Sequence, residues 1–195
     1  ANCTFRHVAF IVVGYNASIM ISDSKFHYAS EYITSVYLTL SNRSTIFILR
    51  CSFEMNRAQF SGALVIYEPD SAGMLNVTIM GCTFRNNKGI LGGALLIVSK
   101  GTFFIANSTF ENNVATVGAA MIVVNDPRPD PTSATIVLCK LTLVDVVIRN
   151  NSGDGDSNDR TRGGAISFIG AKVDIVGSTH SGSQFVSNGP QGAIQ

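Results

Sequence analysis

The side chains able to do chemistry are sparse and scattered. The chain has 195 residues with 13 acidic side chains and 3 histidines. His7, His27 and His180 fall in different segments, none with an evident acid partner. Cleavage of a polysaccharide on a β-structure needs paired carboxylates, or a calcium site with a basic residue, on one face. Glu54 and Glu111 hold equivalent places in a repeat, but in non-adjacent units. No nucleophile–base pair is legible, so the expectation is a protein that is not an enzyme. The candidate metal ligands are Asp154, Asp156 and Asn158, whose oxygens alternate as at the start of a calcium loop. That pattern breaks at its sixth position, Asp159, and at its twelfth, Ala165. With Arg160 and Arg162 also present, a solvated insertion without metal is expected.

A second chemistry is covalent modification. Asn-x-Ser/Thr sequons occur at Asn2, Asn16, Asn42, Asn76, Asn107 and Asn150, none with Pro in the middle. With 15 Asn and 34 Ser plus Thr, chance would give about 2.6 such sites. Covalent N-linked glycans are therefore expected, and no other cofactor.

The elements that position these residues follow from a repeat. Phe followed three residues later by Asn recurs at Phe53–Asn56, Phe84–Asn87, Phe110–Asn113 and Phe185–Asn188, with Ile148–Asn151 as a variant. Two earlier units, Phe5–Val8 and Phe26–Ala29, keep only the Phe. Successive anchors lie 21, 27, 31, 26, 38 and 37 residues apart. Small residues keep step behind them: Gly62–Ala63, Gly93–Ala94 and Ala119–Ala120, with Gly14–Tyr15, Ser35–Val36, Gly164–Ala165 and Gly192–Ala193 as degenerate counterparts. An alternating segment precedes the anchors, as in Thr45–Leu49, Asn76–Met80, Thr102–Ala106 and Lys172–Val176.

A short strand cannot bury its face alone, so such units stack, with parallel strands about 4.8 Å apart. The expectation is an all-β, right-handed parallel β-helix (β-solenoid) of about seven irregular coils, three short strands each, forming one domain over residues 1–195. Loop insertions are expected near 125–134 and 152–162. Stacking puts Phe5, Phe26, Phe53, Phe84, Phe110 and Phe185 into an aromatic ladder. It puts Asn56, Asn87, Asn113, Asn151 and Asn188 into an amide ladder. Ladder amides face inward, and sequon amides must face solvent. Cys3, Cys51 and Cys82 each stand two residues before an anchor. Cys51 and Cys82 belong to consecutive coils, so a disulfide between them is expected. Cys3 is two coils from Cys51, and Cys139 lies in another column.

The segments CSFEMN…SGALVI, CTFRNN…GGALLI and FVSN…QGAI resemble the FxxN and GGA[ILV] repeats of the polymorphic outer-membrane protein family, within the pectin-lyase-like β-helix group. The resemblance covers residues 51–195 well and 1–50 weakly. It implies a right-handed β-helix exposed at a surface, with structural or adhesive roles.

Composition narrows the partners. Hydrophobic residues make up 46%, charged residues 14%, and the net charge is +1. No basic surplus points to nucleic acid. No run of 18 apolar residues points to membrane insertion. No leader-like segment opens the chain, so a signal peptide is expected to be absent already. The strands expected at each end of the solenoid have open edges without a cap, which suggests that something covers them. The leading expectation is an extracellular or cell-surface structural glycoprotein, a fibril subunit associating head to tail with itself, with other surface proteins or carbohydrates as further partners. The alternative is a fragment of a larger surface adhesin. The weakest is a carbohydrate-active lyase or hydrolase.

Overall fold

Local backbone conformation sets the size of each coil. The anchor strands around Phe26, Phe53, Phe84, Phe110 and Ile148 are each bracketed by two residues in the left-handed region. One column lies three residues before the anchor, at Asp23, Arg50, Gly81, Asn107 and Asp145. The other lies two residues after it, at His7, Tyr28, Met55, Asn86, Asn112 and Asn150. A single left-handed residue turns an extended chain sharply, and Asn, Asp and Gly adopt it at least cost. The anchor strands therefore stay short, and the chain winds instead of running on. The computed structural model describes residues 3–29, 34–41, 43–69, 75–125, 139–153, 165–169, 171–176 and 179–181.

The described chain is all-β and winds as a parallel solenoid. Coil one is β1 (Cys3–Arg6), β2 (Phe10–Tyr15) and β3 (Ser18–Ser22); coil two is β4 (Ser24–His27), β5 (Val36–Ser41) and β6 (Thr45–Leu49). Coil three is β7 (Ser52–Glu54), β8 (Leu64–Tyr67) and β9 (Asn76–Met80). Coil four gains a strand: β10 (Thr83–Arg85), β11 (Lys88–Leu91), β12 (Leu95–Val98) and β13 (Thr102–Ala106). Coil five repeats it with β14 (Thr109–Glu111), β15 (Val114–Val117), β16 (Met121–Val124) and β17 (Lys140–Val144). Coil six is β18 (Val147–Arg149), β19 (Ser152–Gly153), β20 (Ile166–Ile169) and β21 (Lys172–Val176), and β22 (Thr179–Ser181) begins a seventh.

Like strands pair in register. The anchor sheet runs β1-β4-β7-β10-β14-β18-β22, the second sheet β2-β5-β8-β12-β16-β20 and the third β3-β6-β9-β13-β17-β21. A short fourth sheet, β11-β15-β19, sits between the anchor and second sheets. The core between them is lined by Phe53, Phe84 and Phe110, by Leu38, Ile66 and Ile97, and by Ile48, Ile79 and Ile105. Phe5, Phe26, Phe53, Phe84 and Phe110 form the expected ladder, with successive ring centroids 5.0, 4.9, 4.8 and 4.6 Å apart. All four pairs are stacked within the range in which aromatic rings attract.

Four details depart from the sequence reading. Among the described residues six coils are complete, giving five stacking steps, and β22 opens a seventh; the later coils carry four strands instead of the three expected. The Gly-Ala column holds for Ala63, Ala94, Ala120 and Ala165, whose carbonyls each accept the first N–H of the second-sheet strand in the preceding coil, from Val36, Leu64, Leu95 and Met121. It slips in the first coils. Val36 pairs with Leu64, so Ser35 and not Val36 matches Ala63. Gly14 pairs with Leu40 inside a strand, because coil one passes from its corner to β2 without the excursion later coils make. The strand paired with β18 centres on His180, opposite Ile148. The anchor position of the seventh coil is thus not Phe185, which, with Asn188 and Gly192–Ala193, lies outside the described residues.

The expected Cys51–Cys82 disulfide is absent: Cys3, Cys51, Cys82 and Cys139 are all free thiols. Matched side chains on adjacent parallel strands run side by side about 4.8 Å apart. A disulfide needs β-carbons about 3.8 Å apart. The two cysteines instead behave as serines do in this column. Ser24 Oγ donates to the Ser22 carbonyl and Ser108 Oγ to the Ala106 carbonyl, each two residues back. Cys51 Sγ reaches the Leu49 carbonyl at 3.3 Å and Cys82 Sγ the Met80 carbonyl at 3.5 Å. The Cys51 N–H donates to Cys82 Sγ, and the Cys82 N–H to Ser108 Oγ.

Candidate functional site

The amide ladder explains why the Asn column recurs. Asn56, Asn87, Asn113 and Asn151 are all buried. Each Oδ1 accepts a backbone N–H from the preceding coil: Ala29, Asn56, Asn87 and Asn113 donate in turn, at 2.9–3.1 Å. Each Nδ2 donates to the anchor carbonyl of the preceding coil: Phe26, Phe53, Phe84 and Phe110. Asn56, Asn87 and Asn113 also donate to the next Asn Oδ1. A buried corner that would strand backbone groups is thereby satisfied.

Sequon amides sit on the opposite side of the wall. Asn16, Asn76, Asn107 and Asn150 are all exposed. Asn16, Asn107 and Asn150 occupy left-handed corner positions, whereas Asn76 opens strand β9. Asn2 and Asn42 lie outside the described residues.

Outward side chains of the anchor sheet form a charge ladder that the sequence reading did not assemble. The pairing register puts Arg6, His27, Glu54, Arg85, Glu111 and Arg149 in one column. Signs alternate from Glu54 onward. Glu54 Oε2 lies 3.8 Å from His27 Nδ1 and 3.2 Å from Arg85 Nη2. Glu111 lies 3.8 Å from Arg85 Nη1 and 2.5 Å from Arg149 Nη2. Burial pushes the Glu54 carboxyl up, but hydrogen bonds from Ser52 and Arg85 and the nearby Arg85 and His27 charges outweigh it, leaving the carboxyl below its usual range. The signal was available: each member directly follows an anchor. In the corner column, Arg50 Nε and Nη2 grip Asp23 at 2.6 and 2.8 Å. That hydrogen bond holds the Asp23 carboxyl below its usual range.

Glu68, Cys51, Cys82 and Cys139 are buried, whereas the Cys3 thiol is exposed. Glu68 is buried and accepts the Ser99 Oγ at 2.6 Å and the Lys100 N–H at 3.2 Å. Ser99 Oγ in turn accepts the Gly101 N–H at 2.8 Å, so this hydroxyl closes a corner and does not face a substrate. Burial, with the Glu68 charge second, pushes the Cys139 thiol up to about 12. Cys82 is raised by its contact with Cys51 and by burial; the same contact lowers Cys51 to about 7. Both sulfurs are shut off from solvent. Among the described residues no three His, Cys, Asp or Glu side chains converge on a metal position, and no helix is long and apolar enough to cross a membrane. Asp154, Asp156 and Asn158 lie outside the described residues.

Coil one has an open edge. Among the described residues β1, β2 and β3 pair on one side only, with coil two. Their inward side chains are correspondingly uncovered. Phe10 is 41% exposed where its partner Val36 is buried. Phe5, Val12, Ile19 and Ile21 are only partly buried, whereas Phe26, Leu38, Ile46 and Ile48 beneath them are sealed. Compared with protein-family models, curated protein sequences and solved structures, the chain matches none of the three.

Proposed function

We propose that this chain is a non-enzymatic, extracellular structural glycoprotein whose solenoids stack end to end into a fibril. The observation that carries the reading is the parallel edge of coil one, unpaired among the described residues, over which a further rung would cover Phe5, Phe10, Val12, Ile19 and Ile21. An exposed strand edge with its apolar side chains uncovered is a template for another strand. Another coil of the same pitch would continue the phenyl stack above Phe5 and bury that edge. Alternating charge in the outward column adds a register rule: the rung placed over Arg6 is favoured when it carries an acidic or neutral residue there. The separation of exposed sequon amides from buried ladder amides supports the glycoprotein part, since a glycan is bulky and must project into solvent.

The covering coil could belong to a second copy or to the same chain in a larger surface adhesin. Electron microscopy of the protein secreted from a eukaryotic cell line separates these. End-to-end filaments that disappear on Val12→Lys, which puts an inward-pointing charge in the edge coil, support self-stacking. Short discrete particles at every concentration would overturn it. A carbohydrate-active role would show as turnover of a polysaccharide, which this reading does not expect.

A further inference from the structure

We infer that Asn76 is a glycosylation site whose first sugar packs in a trough on the third sheet, over Thr78 and between Phe47 and Phe104. The inference rests on the glycoprotein reading above and goes further, because it assigns one site a bound conformation and a structural effect.

Among the described sequons Asn76 alone stands on a strand. Its neighbours Val77 and Ile79 point into the core, so Asn76 and Thr78 share the outward face, as alternation in a strand requires. Register fixes what surrounds them. Asn76 pairs with Thr45 on one side and Thr102 on the other, both small enough to leave room for a substituent. Thr78 pairs with Phe47 on one side and Phe104 on the other. Thr78 thus floors a trough with a phenyl on each wall, and Asn76 stands at its mouth. The two phenyl positions are two rungs apart, about 9.6 Å. A ring lying midway would be about 4.8 Å from each, inside the 4.5–7 Å range over which an aromatic face makes close ring contacts.

The phenyls also need explaining. Phe104 is 37% exposed, and Met20, in the same outward column, is 66% exposed. A row of outward apolar side chains on a sheet is unfavourable in water unless something covers it. The C–H face of a pyranose attached at Asn76 supplies cover of the right chemistry. The corner sequons Asn16, Asn107 and Asn150 stand at left-handed turns, outside this strand column.

The attachment balances with a polyprenyl-pyrophosphate-linked oligosaccharide as donor. Asn76 Nδ2 bonds to the anomeric carbon as that carbon's bond to the pyrophosphate oxygen breaks. Nδ2 releases one proton, and the departing pyrophosphate takes the electron pair.

The test secretes the full chain from a glycosylating eukaryotic cell line. Site occupancy is read by glycopeptide mass spectrometry, and Tm is measured for the parent, Asn76→Gln, Phe104→Ser and the double variant. Occupied Asn76 is expected, with Asn76→Gln lowering Tm by about 2–4 °C in the parent and by less than half as much beside Phe104→Ser. Phe47→Ser replaces Phe104→Ser should the latter fail to fold. A bare Asn76 beside occupied corner sequons overturns the inference alone, as do equal Tm shifts in both backgrounds. Sugar at no sequon overturns the glycoprotein reading itself.

Discussion

Replacing Asn87 by alanine removes four hydrogen bonds from the middle of the amide ladder, and the groups left behind set the cost. Asn87 Nδ2 donates to the Phe53 carbonyl at 2.9 Å and to Asn113 Oδ1 at 3.0 Å. Its Oδ1 accepts the Asn56 N–H at 3.1 Å and Asn56 Nδ2 at 3.0 Å. After truncation Asn56 Nδ2 still reaches the Phe26 carbonyl, and Asn113 Oδ1 still accepts the Asn87 N–H. The Phe53 carbonyl keeps the ladder bond from the Arg85 N–H that the strand register requires, so the group left without a partner is the Asn56 N–H, in a residue with no solvent exposure. At about 1–3 kcal/mol for one buried unsatisfied group and about 0.5–1.5 kcal/mol for the lost bond to Phe53, Asn87→Ala should cost about 1.5–4.5 kcal/mol. Asn87→Asp tests the mechanism at constant shape. An ionised carboxylate still accepts from Asn56 but cannot donate to Phe53 or Asn113. Folding therefore raises that carboxyl's pKa above its unfolded value near 3.9. The penalty relative to the parent is full above the raised folded pKa and shrinks as pH falls through it, when the acid form regains one donor. Urea unfolding of parent and variants at matched pH reads both effects. A loss below about 1 kcal/mol for Asn87→Ala, or a pH-independent penalty for Asn87→Asp, would refute the account. Nature supplies a control: Ala29 fills this column in coil two, where the coil-one residues an amide would serve are Phe5, only partly buried, and Val8, exposed.

Three further outcomes are expected. Gly93→Ala places a β-carbon 2.1 Å from the Ala119 carbonyl oxygen and 2.8 Å from that of Val114, both backbone, so the loss in chemical denaturation should reach or exceed the usual overpacking cost of about 1–3 kcal/mol. Only Cys3 should react with a thiol reagent in the folded protein, while Cys51, Cys82 and Cys139 react only on unfolding; reductant should leave Tm unchanged, and a shift on reduction would restore the disulfide. The depressed Glu54 and Asp23 carboxyls stabilise the fold above their unfolded pKa, and that contribution is lost as pH falls through their lower folded values, so Tm should decline on acidification and Glu54→Gln should flatten the decline.

The parts legible in the sequence are those whose spacing the backbone holds fixed. Four alternating segments, Thr45–Leu49, Asn76–Met80, Thr102–Ala106 and Lys172–Val176, are strands with those same bounds. The distance from the last residue of such a strand to the anchor is constant: Leu49 to Phe53, Met80 to Phe84, Ala106 to Phe110 and Val144 to Ile148. Counting that interval on from Val176 reaches His180, the position the structure pairs with Ile148. Matching by residue type chose Phe185 instead. Residue type misled again at Cys51 and Cys82, whose spacing placed them side by side while their parallel directions kept them unbonded. The charge ladder escaped notice because its members share no residue type: Arg6, His27, Glu54, Arg85, Glu111 and Arg149 share only a register. Coil one misled for a different reason. With no excursion between its corner and β2, its Gly14 fell on the counting position of the Gly-Ala pair by coincidence of length.

Those constant intervals also locate where this chain is free to vary. The corners before Phe53, Phe84 and Phe110 are tied by the Ser/Cys column, and the corner after the anchor by the amide ladder from Asn56 to Asn151. An added residue at either would break bonds in two coils at once, because each side chain serves the coil before it. The corner between the second and third sheets is tied differently: Glu68 holds Ser99 and Lys100 across one pair of coils, and among the described residues no residue type recurs there from coil to coil as Asn does. It runs from Tyr67 to Asn76 in coil three, from Val98 to Thr102 in coil four and from Val124 to Lys140 in coil five. The path from the Asn column to the second sheet varies likewise, from Asn113–Met121 to Asn151–Ile166. Doubling a loop costs only about 0.6 kcal/mol of closure entropy, far less than orphaning a buried ladder. Length has therefore changed where the wall has no ladder to break. The sugar-bearing trough proposed at Asn76 begins at one of these permissive corners, directly where β9 re-enters the fixed stack, so its phenyl walls stay in register however long the preceding loop becomes.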